Sequence, residues 1–543
     1  MCDALLSRRQ LMRYSALVAA TFPAGAVLLS QRAAHAGPAV PMHLELVTVT
    51  DTSAIITWFT GDPTAPDEFG RPAPVAAPGQ VLIGTGPDPT TWVPVGEHEP
   101  TPYHYVEVTG LKPGTTYWWR AESGGIPAVM TTIANPLLRP TDAPVAAPPT
   151  FTTMVPPPGR ELGRVAWLND LHFGESTSGL AISNDSLPGG GIPPGFAADP
   201  DDPYWRFMSH AAVNEAKARG CTLLLANGDV TAEARPAEVE EARRMLDAFG
   251  TLGGVRHLGP DDPAAYFVTR GNHDRAHTGD LYAACSGSEA KDCYRDAFAA
   301  SYEPGSSHFS VTVGTGRARY RFVGLDSNDG EATGVFPDGE LDYLAEQLAQ
   351  GDATIPLFHH PASDLAEALT IPPFVGSLDQ ADAKAFRDLV ARHDNVAGVY
   401  AGHTHRNIRA RSSETGDLPF FEGGAVKEYP GGYTVVRLYE TGYLVNFYKT
   451  ASPEARAWSE RSRGEYLGLY PYYTLGGLGD RNWSYDVDAR VRRPAAATPP
   501  GAPSPAPAPA PAQDALPATG GGAVLGVAGA AALTAAAVVT RGR

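Results

Sequence analysis

An α/β fold preceded by an antiparallel β-sandwich is the architecture this sequence predicts, on three observations. Between Glu161 and about Lys449, short apolar runs alternate with helix-like stretches, the pattern of strands and helices that share one domain. Before that, residues 41–155 carry short β-type runs separated by Pro/Gly turns, as an antiparallel sandwich does. The length, 543 residues with 43% hydrophobic content, exceeds one ordinary domain and supports more than one core.

Taken in order, residues 1–36 read as a targeting segment. Ser7-Arg8-Arg9-Gln10-Leu11-Met12 precedes an apolar stretch from Ala16 to Leu29, and Ala34-His35-Ala36 supplies a small-residue cleavage site. The paired arginines resemble a twin-arginine export signal, which implies the twin-arginine export machinery as a partner; an ordinary secretory signal is the alternative. Residues 41–155 form the sandwich. Its alternating runs include Leu44 to Val49, Ala54-Ile55-Ile56-Thr57-Trp58, and Gly110-Leu111-Lys112-Pro113-Gly114-Thr115-Thr116-Tyr117. The aromatics of these runs read as core. Ala143 to Gly159 is Pro-rich and reads as a linker.

Residues 161–450 form the α/β domain, with helices expected at Trp205–Arg219, Ala237–Phe249, Gly339–Ala349 and Asp379–His393. Residues 451–490 are aromatic-rich and read as a closing extension of that domain. Residues 491–515 contain a Pro/Ala tract, a stiff spacer without core-forming capacity. In residues 516–543, Leu516-Pro517-Ala518-Thr519-Gly520 precedes an apolar run of membrane-spanning length and Arg541-Gly542-Arg543. This resembles a sortase sorting signal and implies sortase and peptidoglycan as partners, with the product anchored at the cell wall. A plain membrane anchor is the alternative.

The net charge of −18 argues against a nucleic-acid backbone as partner. It leaves room for a small anionic substrate, because bound metal reverses the local field. Of the four cysteines, Cys285 and Cys293 sit in one polar loop and are expected to pair in an exported protein. Cys221 opens an apolar run and reads as a buried small hydrophobe.

Five apolar runs each end in metal-ligand residue types. They lead to Asp170 and His172, to Asp229, to Asn272-His273-Asp274, to His359-His360, and to His403 and His405. A sixth, Tyr320 to Leu325, ends in Asp326-Ser327-Asn328. Buried strands of an α/β sheet are short apolar runs, and ligands collect beyond their carboxyl ends. Residues far apart in sequence are therefore expected to converge on one crevice. Alternation along an extended chain would put Asp170 and His172 on one face, and likewise His403 and His405. Glycines before Asp229, Asn272 and His403 would permit sharp turns. Imidazoles, carboxylates and an amide oxygen suit Zn, Mn or Fe.

The order D-x-H, G-D, G-N-H-D, H-x-P, G-H-x-H resembles the calcineurin-like metallophosphoesterase superfamily over roughly residues 161–410. The resemblance implies a metallophosphoesterase β-sandwich flanked by helices and two divalent or transition metal ions. Asp170, His172 and His405 would hold one and Asn272, His359 and His403 the other, with Asp229 bridging. His359 is preferred to His360 because the family's ligand lies two residues before proline. His273 would contact phosphate and protonate the leaving group, and Asp274 would orient and charge it. The N-terminal domain resembles fibronectin type III modules and the domain that precedes the catalytic one in purple acid phosphatases. Those enzymes carry a ligand tyrosine three residues after the bridging aspartate, where this chain has Ala232, and they lack a counterpart of His172. The metal site thus resembles the non-purple phosphodiesterase and nucleotidase branch. A Gly/Pro-rich insertion, Ser186 to Pro203, reads as a lid or a surface loop.

The function expected is extracellular hydrolysis of a small phosphate mono- or diester by metal-activated hydroxide. The alternatives are a nucleotidase or cyclic-nucleotide phosphodiesterase, and a surface-displayed binding protein on an idle phosphoesterase scaffold.

Overall fold

The structure is a computed structural model. It describes residues 39–490 except 67–70, 98, 131–148, 180–181, 184–190, 193–195, 260, 275–293, 304–305, 316–317, 329–333, 364–376, 412–413 and 466–469. The targeting segment, Cys285 and Cys293, the Pro/Ala spacer and the Leu516–Gly520 motif lie outside these residues, as does part of the expected lid.

Two sheets form the N-terminal sandwich. Strands Val40–Val49, Ser53–Pro66, Pro72–Pro74 and Tyr103–Thr109 make one; the other has five strands, Gly79–Gly84 and Thr116–Ser123 at its centre. Period-2 alternation in Ala54-Ile55-Ile56 sends its side chains two ways. Ala54, Ile56 and Trp58 join the sandwich core, with Val81, Val106, Tyr117 and Trp119. Ile55 faces the opposite way and, with Val47, enters a core shared with the α/β domain. The second half of the expected linker is structured: Thr150–Thr152 pairs with Thr116–Ser123, and Phe151 is buried.

The α/β domain has two seven-stranded sheets face to face, with helices outside. The first runs Thr251–Leu252, Ala265–Thr269, Leu223–Asn227, Glu161–Leu168, Gly432–Tyr439, Gly442–Lys449, Asn482–Asp486. Its first four strands are parallel and the rest antiparallel. The second runs His257–Leu258, Phe309–Thr315, Ala318–Gly324, Ala353–Leu357, Val399–Ala401, Phe420–Glu422, Ile408–Ala410. Leu223–Asn227 and Ala353–Leu357 are buried along their whole lengths, which explains their unbroken apolar character: each is covered on both faces. Trp167, Leu225, Phe322, Ile355 and Tyr400 fill the space between the sheets.

The helix-like stretches form helices Tyr204–Ala218 and Pro236–Asp247 over the first sheet, and Glu340–Leu348 and Gln380–Ala391 over the second. Local signals set their starts. Asp379 caps Gln380–Ala391 by accepting from Ala381 N–H, and Glu238 reaches back to Arg235 N–H at 3.2 Å. Residues 451–490 are woven into the fold. Helix Pro453–Ser462 packs against helix Tyr204–Ala218 and the sandwich strand Tyr103–Thr109, burying Ala455 and Trp458, the latter stacked on Tyr204, and Asn482–Asp486 is the first sheet's edge strand.

Candidate metal centre

Every expected ligand follows the carboxyl end of a strand, two to four residues past its last residue. Asp170 and His172 follow Glu161–Leu168, Asp229 follows Leu223–Asn227, and Asn272 follows Ala265–Thr269. His359 follows Ala353–Leu357, and His403 follows Val399–Ala401, with His405 two residues on. Adjacent parallel strands end at one level, so these side chains meet where the two sheets open.

The expected extended geometry is not what brings the paired ligands together. Asp170, His172, Asp229, His403 and His405 all have left-handed backbone, with φ of 54°, 50°, 49°, 68° and 54°. Among the described residues only two other non-glycine residues, His43 and Ala234, share a positive φ. Each such residue costs about 1–3 kcal/mol and persists where its surroundings over-determine it. The strands stop, and one left-handed residue turns each side chain inward.

The glycines serve different ends. Gly228 has φ of 82°. Gly271 does not need positive φ; a Cβ there would lie 2.3 Å from Asp229 N and Oδ1. It is the absence of a side chain that lets the Asn272 loop approach Asp229.

Three groups of donor atoms result, each within 4.8 Å: Asp170, His172 and His405; Asp229, His359 and His403; and His172, Asp229 and His273. Asp229 Oδ2 lies 3.5 Å from His172 Nε2 and 3.1 Å from His359 Nε2, so it reaches both halves. Asp170 Oδ1 lies 3.2 Å from His405 Nε2. Asn272 sits in the loop that carries His273, and its Oδ1 is buried.

Both carboxylate oxygens of Asp170, both ring nitrogens of His172, Asn272 Oδ1, His359 Nε2 and His403 Nε2 are buried without a hydrogen-bond partner among the described residues. So many unsatisfied polar atoms in one place are costly. Nitrogen and oxygen donors in two sets sharing a carboxylate fit a pair of metal ions.

Electrostatics agree. Burial, with Lys427 nearby, holds His172 well below the usual imidazole range. Burial and the neighbouring imidazoles do the same for His403, keeping both in the neutral form that ligates. At His359 burial opposes protonation but Asp229 outweighs it, raising the pKa to about 9. At His405 burial is outweighed by Asp170 and Glu428, raising it to about 10. The carboxylates thus draw positive charge into the site.

Backbone and side-chain acceptors fix the rings. His359 Nδ1 is 2.9 Å from Asn227 O, and His273 Nδ1 is 2.9 Å from Ala232 O. A carbonyl only accepts, so Nδ1 carries the proton and Nε2 faces the centre. His405 Nδ1 lies 2.5 Å from Glu428 Oε1. Ala232, which occupies the position of the purple enzymes' tyrosine, therefore contributes its carbonyl. His360 does not join the donor groups; its Nδ1 lies 3.0 Å from Ser327 Oγ.

One expectation is corrected. Asp274 does not orient and charge His273, whose Nδ1 is taken by Ala232. Asp274 accepts from Gly271 N, Thr231 N, Thr231 Oγ1 and Val230 N at 2.8–3.3 Å, stapling the Asp229 loop to the Asn272 loop. Burial and then Asp229 push its pKa up to about 7.

Sequence reasoning missed Asn227, Glu175, Lys427 and Glu428. Asn227 had a signal, being polar in an otherwise apolar run. The other three lie outside the motifs.

Residues 163–407 match the family described as calcineurin-like phosphoesterase. Several solved structures are similar at low identity. A dimetal phosphatase from Danio rerio is 13% identical, covering 54% of this chain and 98% of its own, with a TM-score of 0.34. PhoD is 12% identical, covering 75% and 85%, with a TM-score of 0.34. A purple acid phosphatase from yellow lupin (Lupinus luteus) is 12% identical, covering 76% and 73%, with a TM-score of 0.31. No curated protein matches.

Proposed function

We propose, from a chain that is a metal-dependent hydrolase of phosphoric esters with a calcineurin-like phosphoesterase domain over residues 163–407, that it cleaves small phosphate mono- or diesters outside the cell. The observation that carries the chemistry is the pair of donor sets joined at Asp229. Asp170, His172 and His405 would hold one ion, and His359, His403 and Asn272 the other. Such a pair, when bound, supplies phosphoryl binding and a nucleophilic hydroxide near neutral pH.

The chain's own residues do the rest. Asp229 Oδ1 accepts the His273 backbone N–H at 2.8 Å, which ties the His273 loop to the bridging carboxylate. His273 keeps its Nδ1 proton on Ala232 O and is half-buried, so in the imidazolium form its Nε2–H is the donor for a phosphoryl oxygen or a leaving group. Asn272 offers a neutral oxygen, which completes a ligand set without adding charge that would repel an anionic ester.

Export and display at the cell wall rest on the Ser7–Met12 and Leu516–Gly520 motifs. No helix among the described residues is long and apolar enough to cross a membrane.

The test is elemental analysis of the purified chain paired with turnover of bis-(p-nitrophenyl) phosphate and p-nitrophenyl phosphate. Near two equivalents of transition metal, with turnover abolished in folded Asp229→Ala and Asn272→Ala, is expected. Diester preference would make it a phosphodiesterase, and monoester preference a phosphatase or nucleotidase. Retained turnover in either variant would overturn the mechanism.

A further inference from the structure

The segment Gly423–Pro430 links strands Phe420–Glu422 and Gly432–Tyr439 and runs behind the metal centre. Its backbone is tied to the first ligand loop: Val426 N–H donates to Asn169 O at 2.9 Å and Lys427 N–H to Asp170 O at 3.4 Å. Its side chains reach further in. Glu428 Oε1 accepts from His405 Nδ1, and Oε2 accepts from Lys427 Nζ at 2.9 Å and Ser178 Oγ at 2.5 Å. Lys427 Nζ also holds both oxygens of Glu175, at 2.7 and 2.9 Å, and Glu175 Oε1 lies 3.7 Å from His172 Nδ1. Glu428 is 0% and Lys427 2% exposed.

The other side of the segment meets the N-terminal sandwich. Tyr429, next to Glu428, donates its hydroxyl to Glu45 Oε1 at 2.7 Å. Glu45 stands on Val40–Val49 and is buried. It also takes Lys449 Nζ at 3.0 Å and pairs with Arg463. Trp458 Nε1 donates to Lys427 O at 2.7 Å, and Tyr429 N–H to Ser462 Oγ at 2.9 Å.

Adhesion alone does not explain Glu45. Val47 and Ile55 on the same sheet already provide apolar contact. A buried carboxylate is costly to desolvate and is weak evidence for net stability. What it adds is direction: three donors converge on it from three different places in the α/β domain.

We infer that the N-terminal sandwich is a working part of the metal centre, in which Glu428 positions His405 and Glu45, through Tyr429, positions Glu428. The Glu428 carboxylate keeps the proton on His405 Nδ1 and aims Nε2 at Asp170, the arrangement that makes an imidazole a better ligand. The inference rests on the two-metal reading above.

The experiment titrates the metal-stripped full chain with Mn²⁺ by calorimetry and follows it by electron paramagnetic resonance. The wild type should bind two ions and give the signal of a coupled pair. Glu428→Gln keeps the shape and an acceptor for Nδ1–H but removes the charge, and should weaken one ion about 10-fold; Glu428→Ala should weaken it about 100-fold. The other ion should remain, so that the coupled signal gives way to that of isolated Mn²⁺. Glu45→Gln should weaken the same ion by a smaller factor. Wild-type affinity for both ions in folded Glu428→Gln, or equal weakening of both, would overturn the role of Glu428. Unchanged affinities in Glu45→Gln would overturn the role of the sandwich. A wild type that binds no metal would sink the two-metal reading, and this inference with it.

Discussion

At the scale of single residues, the neighbouring imidazoles of His359 and His360 receive opposite assignments from their surroundings. His359 turns Nε2 toward Asp229 because Asn227 O holds Nδ1. His360 spends Nδ1 on Ser327. His359→Ala should therefore lose one equivalent of metal and cut turnover by more than about 100-fold, the upper end for a merely supporting residue. His360→Ala should keep both ions and lose about 0.5–1.5 kcal/mol of stability with the ring's hydrogen bond to Ser327 Oγ, which still takes the backbone N–H of residue 360 at 3.2 Å. Elemental analysis and denaturant unfolding separate the two. Cys221 gives a second prediction. Burial pushes its thiol up to about 12, so the fold favours the neutral form. Its stabilising contribution is whole below the ordinary thiol value of 9.0 and is lost as pH rises toward 12. Mass spectrometry should find Cys221 unalkylated in the native chain at neutral pH and modified after unfolding; native modification would contradict its burial.

At the scale of elements, the site is made by how strands end. A parallel strand delivers a chain end to the rim, but the turn into the crevice is made by left-handed residues and by glycines that admit close approach. Gly271→Ala tests this. The new Cβ would lie 2.3 Å from Asp229 N and Oδ1, so the bridging carboxylate must shift. Misplacement on the order of 1 Å costs about 100-fold, and kcat should fall by that factor with most of the secondary structure kept. Circular dichroism beside steady-state kinetics checks it; wild-type kcat would mean that the two loops do not constrain one another.

At the scale of the whole molecule, two domains share one core and one charge cluster. Burial alone would raise the pKa of Glu45, but Lys449 and Arg463 outweigh it and hold the carboxylate well below its usual range. A depressed carboxylate stabilises the fold above its unfolded value of 4.5, and that contribution is lost as pH falls below it. Below about pH 4.5 the wild type should lose Tm faster than Glu45→Gln, and parallel slopes in scanning calorimetry would contradict the linkage. Metal removal should also be felt globally. Ions held at about 1,000 times their Kd contribute about 4 kcal/mol each, so chelation should lower Tm and added Mn²⁺ should restore it.

Much of this was legible in the sequence. An unbroken apolar run such as Leu223–Ala226 is buried on both faces wherever it folds, and a ligand type just past such a run marks a strand end. These local facts determined the α/β class, the helix positions and the ligand candidates. Only the tertiary structure could decide the rest. That Asp170 and His403 turn inward by left-handed backbone depends on neighbouring loops that over-determine them, which periodicity does not encode. That Asp274 staples loops while Ala232 holds His273 depends on which donors surround a buried carboxylate. Glu45 and Glu428 look in sequence like any other charged residues, because their partners lie hundreds of positions away or across a turn. Burial confers their roles, and burial is a property of the assembled fold.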